Sequence, residues 1–204
     1  FGMKLSHSFY SRPTLTVAKD ILGKIIVRKF GTHTLAGKIV EVEAYRQNDP
    51  ASHSFRGMTG RNKIMFNQSG MLYVYFTYGM HFCANIVTAE EGIGEAVLIR
   101  AIEPIDGINI MMKNRNVDEK LTSAKKHDLT NGPAKFCQAF YITRPENGID
   151  LCGNEIFLMD GEKIPSHAIG VSSRIGISVG VEKKWRFYIK GNEWVSKSPT
   201  KHKR

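Results

Sequence analysis

The sequence predicts an α+β fold, a single domain built on a curved, mainly antiparallel β-sheet with packed helices and one protruding β-hairpin. Three observations predict it. β-rich segments follow one another across short turns, which suits antiparallel neighbours. Only a few short stretches carry a helical apolar face. The 204 residues are enough for one core and short for two.

Taken in order, residues 14–22 after Pro13 place Leu15, Ala18, Ile21 and Leu22 on one helical face, with Gly23 as a stop. Residues 24–30 and 36–45 read as strands of a hairpin joined across Gly31-Thr32-His33. Residues 46–60 are polar and rich in breakers, a loop with functional potential. A meander follows in residues 71–77, a turn at Tyr78-Gly79-Met80, then 81–87 and 95–102, ended by Pro104. Gly92-Ile93-Gly94, flanked by Glu90, Glu91 and Glu95, reads as a turn inside it and not as the core of a helix-hairpin-helix. Residues 105–113 look helical, 120–129 form a charged exposed loop, and Gly132-Pro133 opens a helix through Tyr141 with Phe136, Ala139 and Phe140 as its apolar side. Residues 156–159, 174–179 and 185–189 complete the sheet, and 198–204 make a basic tail open to disorder.

Composition then limits the partners. The formal net charge is +10 and the isoelectric point about 9.6, which suits a polyanionic partner as well as it suits a solubilising surplus. Hydrophobic content of 42% with 24% charged residues excludes wholesale disorder. Cys83, Cys137 and Cys152 are odd in number and lack C-x-x-C spacing, which argues against a disulfide framework and for a reducing compartment. No apolar stretch is long enough to span a bilayer, and residues 1–10 lack a signal-peptide core. No His/Cys spacing indicates zinc, and His127 and His167 read as plain surface residues.

Chemistry concentrates around one strand. In residues 38–45 the two-residue period puts Glu41, Glu43 and Tyr45 on one face, with Val40, Val42 and Ala44 on the other. Such carboxylates are either the solvated side of an edge strand or a base and electrostatic stabiliser for a cationic transition state, as at sugar-cleaving sites. Periodicity does not choose between Glu41 and Glu43. From Pro50 to Ala89 there is no Asp or Glu, while Arg56, Arg61 and Lys63 supply charge among Phe66, Tyr73, Tyr75, Phe76, Tyr78 and Phe82. Basic residues interleaved with rings suit phosphates and stacked bases, although Phe76 and Phe82 are expected in the sheet core. Tyr78, beside Gly79 at a sharp turn, is placed to wedge into a base stack.

Ten strings carry a resemblance: Val42-Glu43-Ala44-Tyr45, Ala51-Ser52-His53-Ser54, Gly60-Arg61-Asn62, Leu72-Tyr73-Val74-Tyr75, Tyr78-Gly79-Met80, Cys83-Ala84-Asn85-Ile86, Leu98-Ile99-Arg100-Ala101-Ile102-Glu103-Pro104, Asn131-Gly132-Pro133-Ala134-Lys135, Arg174-Ile175-Gly176 and Arg186-Phe187-Tyr188. Their order and spacing resemble the alkyladenine (methylpurine) DNA glycosylase family over nearly the whole chain. The resemblance implies a monofunctional hydrolase that flips alkylated or deaminated purines, hypoxanthine among them, out of double-stranded DNA and leaves an abasic site for base excision repair. It makes Glu43 the general base for water and Arg100 its partner near the water and the sugar-phosphate. Tyr45 would stack on one face of the flipped base, His53 and Tyr75 on the other, and Asn85 would line the pocket floor against the amino group of guanine. Tyr78 would be the intercalating wedge flanked by Met80, with Thr59 and Arg61 near the DNA backbone. His81 departs from the Tyr of vertebrate members beside that wedge.

The residue types fit that chemistry, because base departure leaves positive charge on the sugar and a nearby carboxylate stabilises it. Every lysine lies in a polar or charged setting, so a desolvated amine nucleophile for lyase chemistry is not expected. No cofactor, metal or membrane is expected. The chain is expected to act as a monomer, in the cytoplasm if bacterial, as its compact form suggests, and in the nucleus if eukaryotic. The rival readings are a non-catalytic sensor of damaged DNA and an RNA-binding sheet protein.

Overall fold

The alternating β-branched and aromatic residues build one curled sheet in the computed structural model, which describes residues 2–117 and 126–197. Its strands are β1 (Ile25–Phe30), β2 (His33–Tyr45), β3 (Leu72–Thr77), β4 (His81–Val87), β5 (Ala96–Asp106), β6 (Ile156–Met159), β7 (Ile169–Ser172) and β8 (Arg186–Ile189). They run in the order β3-β4-β5-β2-β1-β6, with β8 on β2 and β7 on β8. Every pairing among the described residues is antiparallel. The helices α1 (His7–Tyr10), α2 (Thr14–Asp20), α3 (Ile108–Asn114) and α4 (Pro133–Ala139) are short. This is the α+β fold that the pattern predicts.

Burial of apolar surface holds the helices to the sheet. Val17, Ala18 and Ile21 of the α2 region and Phe136, Ala139 and Phe140 of the α4 region share one core with Val40, Val42 and Ala44 of β2. Each Val, Ile or Phe among them contributes about 1.5–3 kcal/mol relative to exposure, and each Ala less. β2 is the central strand, paired on one side with β5 and on the other with β1 and then β8. Its carboxylate-bearing face is therefore covered, not the solvated side of an edge. Both Glu41 and Glu43 are wholly buried.

The structure corrects several boundaries. The β1–β2 turn is only Gly31-Thr32, since Phe30 pairs with His33, and Gly31 supplies the positive φ of +54°. β5 does not end at Pro104 but runs to Asp106. Pro104 lies opposite Gly37 beside a register shift, where a missing N–H is tolerated. That extension delays α3 to Ile108, behind Gly107 at φ +74°. Residues 174–179 are not a strand. Gly176 turns the chain at φ +76°, the Arg174 side chain is drawn into buried polar contacts, and β7 at Ile169–Ser172 takes the place beside β8.

Phe76 is 38% exposed and so is not the core residue expected, while Phe82 is half-buried against it with ring centroids 5.0 Å apart. The reason is that β4 pairs with β5 only through Asn85, Ile86 and Val87. Beyond that point the β3–β4 hairpin stands clear of the sheet. Only the last four residues of the loop expected at 120–129 lie within a fully described stretch, as a 3-10 turn at Lys126–Leu129 with Leu129 buried. The basic tail at 198–204 lies outside the described residues.

Candidate active site

Glu41 and Glu43 leave the same face of β2, and their surroundings separate them. Glu41 accepts hydrogen bonds from Arg100 Nε at 2.9 Å, Arg186 Nε at 2.7 Å, the Ser196 amide at 2.6 Å and Ser196 Oγ at 2.8 Å. Three of these donors converge on Oε1 and one on Oε2, and Glu41 does not line the cavity that Glu43 faces. Glu43 lines a cavity of about 350 Å³, within the range of small-molecule sites. Oε1 accepts the Ile175 amide at 2.7 Å and lies 3.3 Å from Arg100 Nη1, and Oε2 accepts the Tyr45 hydroxyl at 2.8 Å. Burial raises the Glu43 carboxyl above the ordinary carboxylate range. Arg100, the Ile175 amide and Tyr45 offset only part of that rise.

Arg100 comes from β5, beside β2, and its guanidinium touches both carboxylates. Burial works against its charge, but Glu43 and Glu41 outweigh it and hold the group more firmly protonated than usual. Arg100 thus ties the closed carboxylate to the open one and also lines the cavity.

Aromatic rings make much of the remaining wall. Tyr75 reaches the cavity from β3, where it pairs with Cys83 of β4, and His53 meets it edge-on with centroids 4.5 Å apart. His53 Nδ1 lies 3.0 Å from the Tyr73 hydroxyl. Burial and then the Arg61 charge lower the His53 pKa, which keeps the imidazole neutral at physiological pH. Burial pushes the Tyr73 hydroxyl up to about 12, and it raises the Tyr45 and Tyr75 hydroxyls further. All three therefore stay neutral. Asn85, buried and lining the same cavity, donates to the Tyr73 carbonyl at 3.1 Å.

The hairpin tip sits at the cavity mouth. Tyr78 and Gly79 are the central residues of the turn Thr77–Met80, both at positive φ, 51° and 69°, the signature of a type I′ turn. A left-handed Tyr costs about 1–2 kcal/mol. It lines the cavity yet is 82% exposed, with Met80 at 70% beside it and His81 exposed where the strands meet. Arg61 also lines the cavity and donates to the Phe76 carbonyl at 3.1 Å. Met80, His81 and Thr59 do not line it. Thr59 is tied to Asn62 Oδ1 by its amide at 2.6 Å and its hydroxyl at 3.1 Å.

Several positioning residues escape sequence reasoning. Asn62 Nδ2 donates to the His53 carbonyl at 2.8 Å and the Gly57 carbonyl at 3.1 Å, closing the loop that carries His53. Arg174, fully buried in its side chain, pairs with Asp49, donates to the Ala44 carbonyl at 3.0 Å and stacks 4.6 Å beneath the Tyr45 ring. Burial alone would raise the Asp49 carboxyl, but the Arg174 contacts and the Ala51 amide hold it below its ordinary value. Arg174-Ile175-Gly176 was visible as a string, yet its β-like composition pointed to a strand and not to the cavity wall that Ile175 and Gly176 form.

A flat, electron-poor ring fits between such walls, and a carboxylate at their base can act where that ring joins a sugar. This is the equipment of a DNA glycosylase. The chain belongs to the methylpurine-DNA glycosylase family, whose profile matches residues 8–193. It is 48% identical over 196 residues to a protein of Carboxydothermus hydrogenoformans, covering 96% of this chain and 100% of the relative. It is 47% identical over 201 residues to one of Clostridium acetobutylicum, covering 95% and 98%. Identity to one of Chlorobium phaeobacteroides is 48% over 192 residues, covering 93% and 95%. Each of the three bears the name "Putative 3-methyladenine DNA glycosylase".

Proposed function

We propose that this glycosylase flips an alkylated or deaminated purine out of duplex DNA into the cavity and hydrolyses its N-glycosidic bond with water activated by Glu43. The carrying observation is that Glu43, alone of the two buried glutamates of β2, opens onto the ring-lined cavity. Its raised proton affinity suits a general base, and its charge suits the electron-poor sugar that forms as the base departs. Arg100 fixes the carboxylate and limits its movement during that step.

Tyr45 stacks on one face of the extruded purine, with Tyr75 and His53 on the other. Neutral rings favour a cationic alkylated purine by about 0.5–2 kcal/mol, and a neutral His53 avoids repelling it. Easier extrusion of weakly paired lesions adds to that selectivity. Asn85 at the pocket floor disfavours the amino group of guanine. Tyr78, with Met80 and His81 at its side, fills the gap in the stack, while Arg61 and Thr59 approach the phosphates. The reaction needs no cofactor, and the protein acts as a monomer in the cytoplasm.

The test is base release from duplexes carrying hypoxanthine or an alkylated adenine, comparing wild type with Glu43→Gln. Binding to the damaged duplex survives and release collapses; equal release by the two proteins removes Glu43 from its role. Reaction in the presence of borohydride yields no covalent protein–DNA adduct if the enzyme is a pure hydrolase, and a trapped adduct would reveal an amine nucleophile.

A further inference from the structure

Away from the cavity, α1 meets the turn that precedes β6. We propose that His7, Asp150 and Cys152 form a binding site for a borderline-soft divalent metal ion, zinc being the fitting case. The imidazole, carboxylate and thiol atoms of the three residues all lie within 4.8 Å of one another. Bonds of about 2.0–2.3 Å at tetrahedral angles separate ligand atoms by about 3.3–3.8 Å, so a small inward movement closes the set. None of the three lines the base cavity.

The hydrogen bonding of His7 points the same way. Nδ1 lies 2.8 Å from the Ser69 carbonyl, which only accepts, so Nδ1 carries the proton. In the neutral ring Nε2 then presents a lone pair, and it faces Asp150 Oδ2 at 3.3 Å. Two acceptors opposed in this way require a proton or a metal ion between them. A backbone carbonyl orienting Nδ1–H is the usual support of a metal-bound histidine.

Two further observations favour the metal. The Tyr10 hydroxyl, fully buried and close enough to feel the charges of Cys152 and Asp150, has no hydrogen-bond partner among the described residues. The turn is also held rigidly, with Asp150 bridged to Met71, the Leu151 amide on the Gly70 carbonyl at 2.8 Å and the Cys152 amide on Asp150 Oδ1 at 2.8 Å. Cys152 Sγ makes a long contact of 3.6 Å to the Leu5 carbonyl and lies within hydrogen-bonding reach of the Asp150 side chain, so burial and then Asp150 raise the thiol above its ordinary value and place two of the ligands together. On binding, that thiol releases its proton to solvent as the sulfur–metal bond forms, with no change of oxidation state. A water completes the coordination from the solvent side, where His7 and Asp150 are partly exposed. His7 lies more than a hundred residues from Asp150 and Cys152, so no sequence spacing reveals the set.

The experiment is titration of the chelator-treated full chain with Zn2+ against a chromophoric chelator, and with Co2+ by absorption. One ion binds per chain with Kd below about 1 μM, Co2+ gives a thiolate charge-transfer band, and Zn2+ raises Tm. Cys152→Ser abolishes the band, and His7→Ala weakens Zn2+ by more than about 100-fold. The wild-type cobalt spectrum keeps the test decisive if a variant folds poorly. Absence of that band, or equal zinc affinity in wild type and Cys152→Ser, overturns the site and leaves His7 and Asp150 as a plain ion pair.

Discussion

Glu41 and Glu43 stand two residues apart on one strand, equally buried and touching the same arginine, yet their neighbourhoods differ. Around Glu41 the carboxylate accepts four hydrogen bonds from Arg100, Arg186 and Ser196. Around Glu43 the donors leave one side open to a cavity. Burial of a charge therefore does not by itself single out a candidate catalytic group. What marks it is burial with space for another molecule.

The sharpest way to break the comparison is to neutralise each carboxylate in turn. Glu43→Gln lowers the base-release rate by about 10,000-fold, the product of a general-base and an electrostatic contribution, at little cost in Tm. Glu41→Ala does the reverse. Leaving Arg100 and Arg186 without their shared partner costs about 3–5 kcal/mol, read as a Tm fall of roughly 10 °C. If Glu41→Ala kept its stability, the polar cluster would not be structural.

Acidity sharpens the comparison further. Because burial raises the Glu43 carboxyl, release of a permanently cationic purine falls on acidification at a pH above the ordinary glutamate range. Stability responds with the opposite sign at this group. The folded chain binds the Glu43 proton more tightly than the unfolded chain does, so its stabilising effect is present below the ordinary carboxyl pKa and is lost as pH rises through the raised one. Rate and Tm profiles of wild type and Glu43→Gln separate the two effects, and a rate profile inflecting at or below the usual range would contradict the assignment.

The smallest expected effect lies at the hairpin tip, where function again opposes stability. Tyr78→Asn relieves the left-handed strain, gaining about 1 kcal/mol or 2–4 °C in Tm. The same change slows release from duplex DNA by roughly tenfold because the wedge is gone. A variant that was both no more stable and fully active would refute the strain and the wedge together.

Much of this was legible in the chain. The faces of β2, the α2 and α4 apolar sides and the turn at Tyr78 follow from periodicity and turn chemistry. The choice between Glu41 and Glu43 does not, because it depends on Ile175, Arg186 and Ser196, more than a hundred residues away. Residues 174–179 misled for a related reason. Their β-like composition is local, whereas the pull of Arg174 toward Asp49 and Ala44 is not. Phe76 left the core because aromatic content says nothing of how far a hairpin outruns its neighbouring strand.

One contact to Glu43 is written into the main chain. The Ile175 amide would be supplied at that position by every residue type except proline. Replacing the isoleucine side chain thus cannot delete this donor, and an alanine scan would pass over it. Exchange of that single amide for an ester, which removes the N–H and keeps the side chain, is the substitution that would uncover its share of the work.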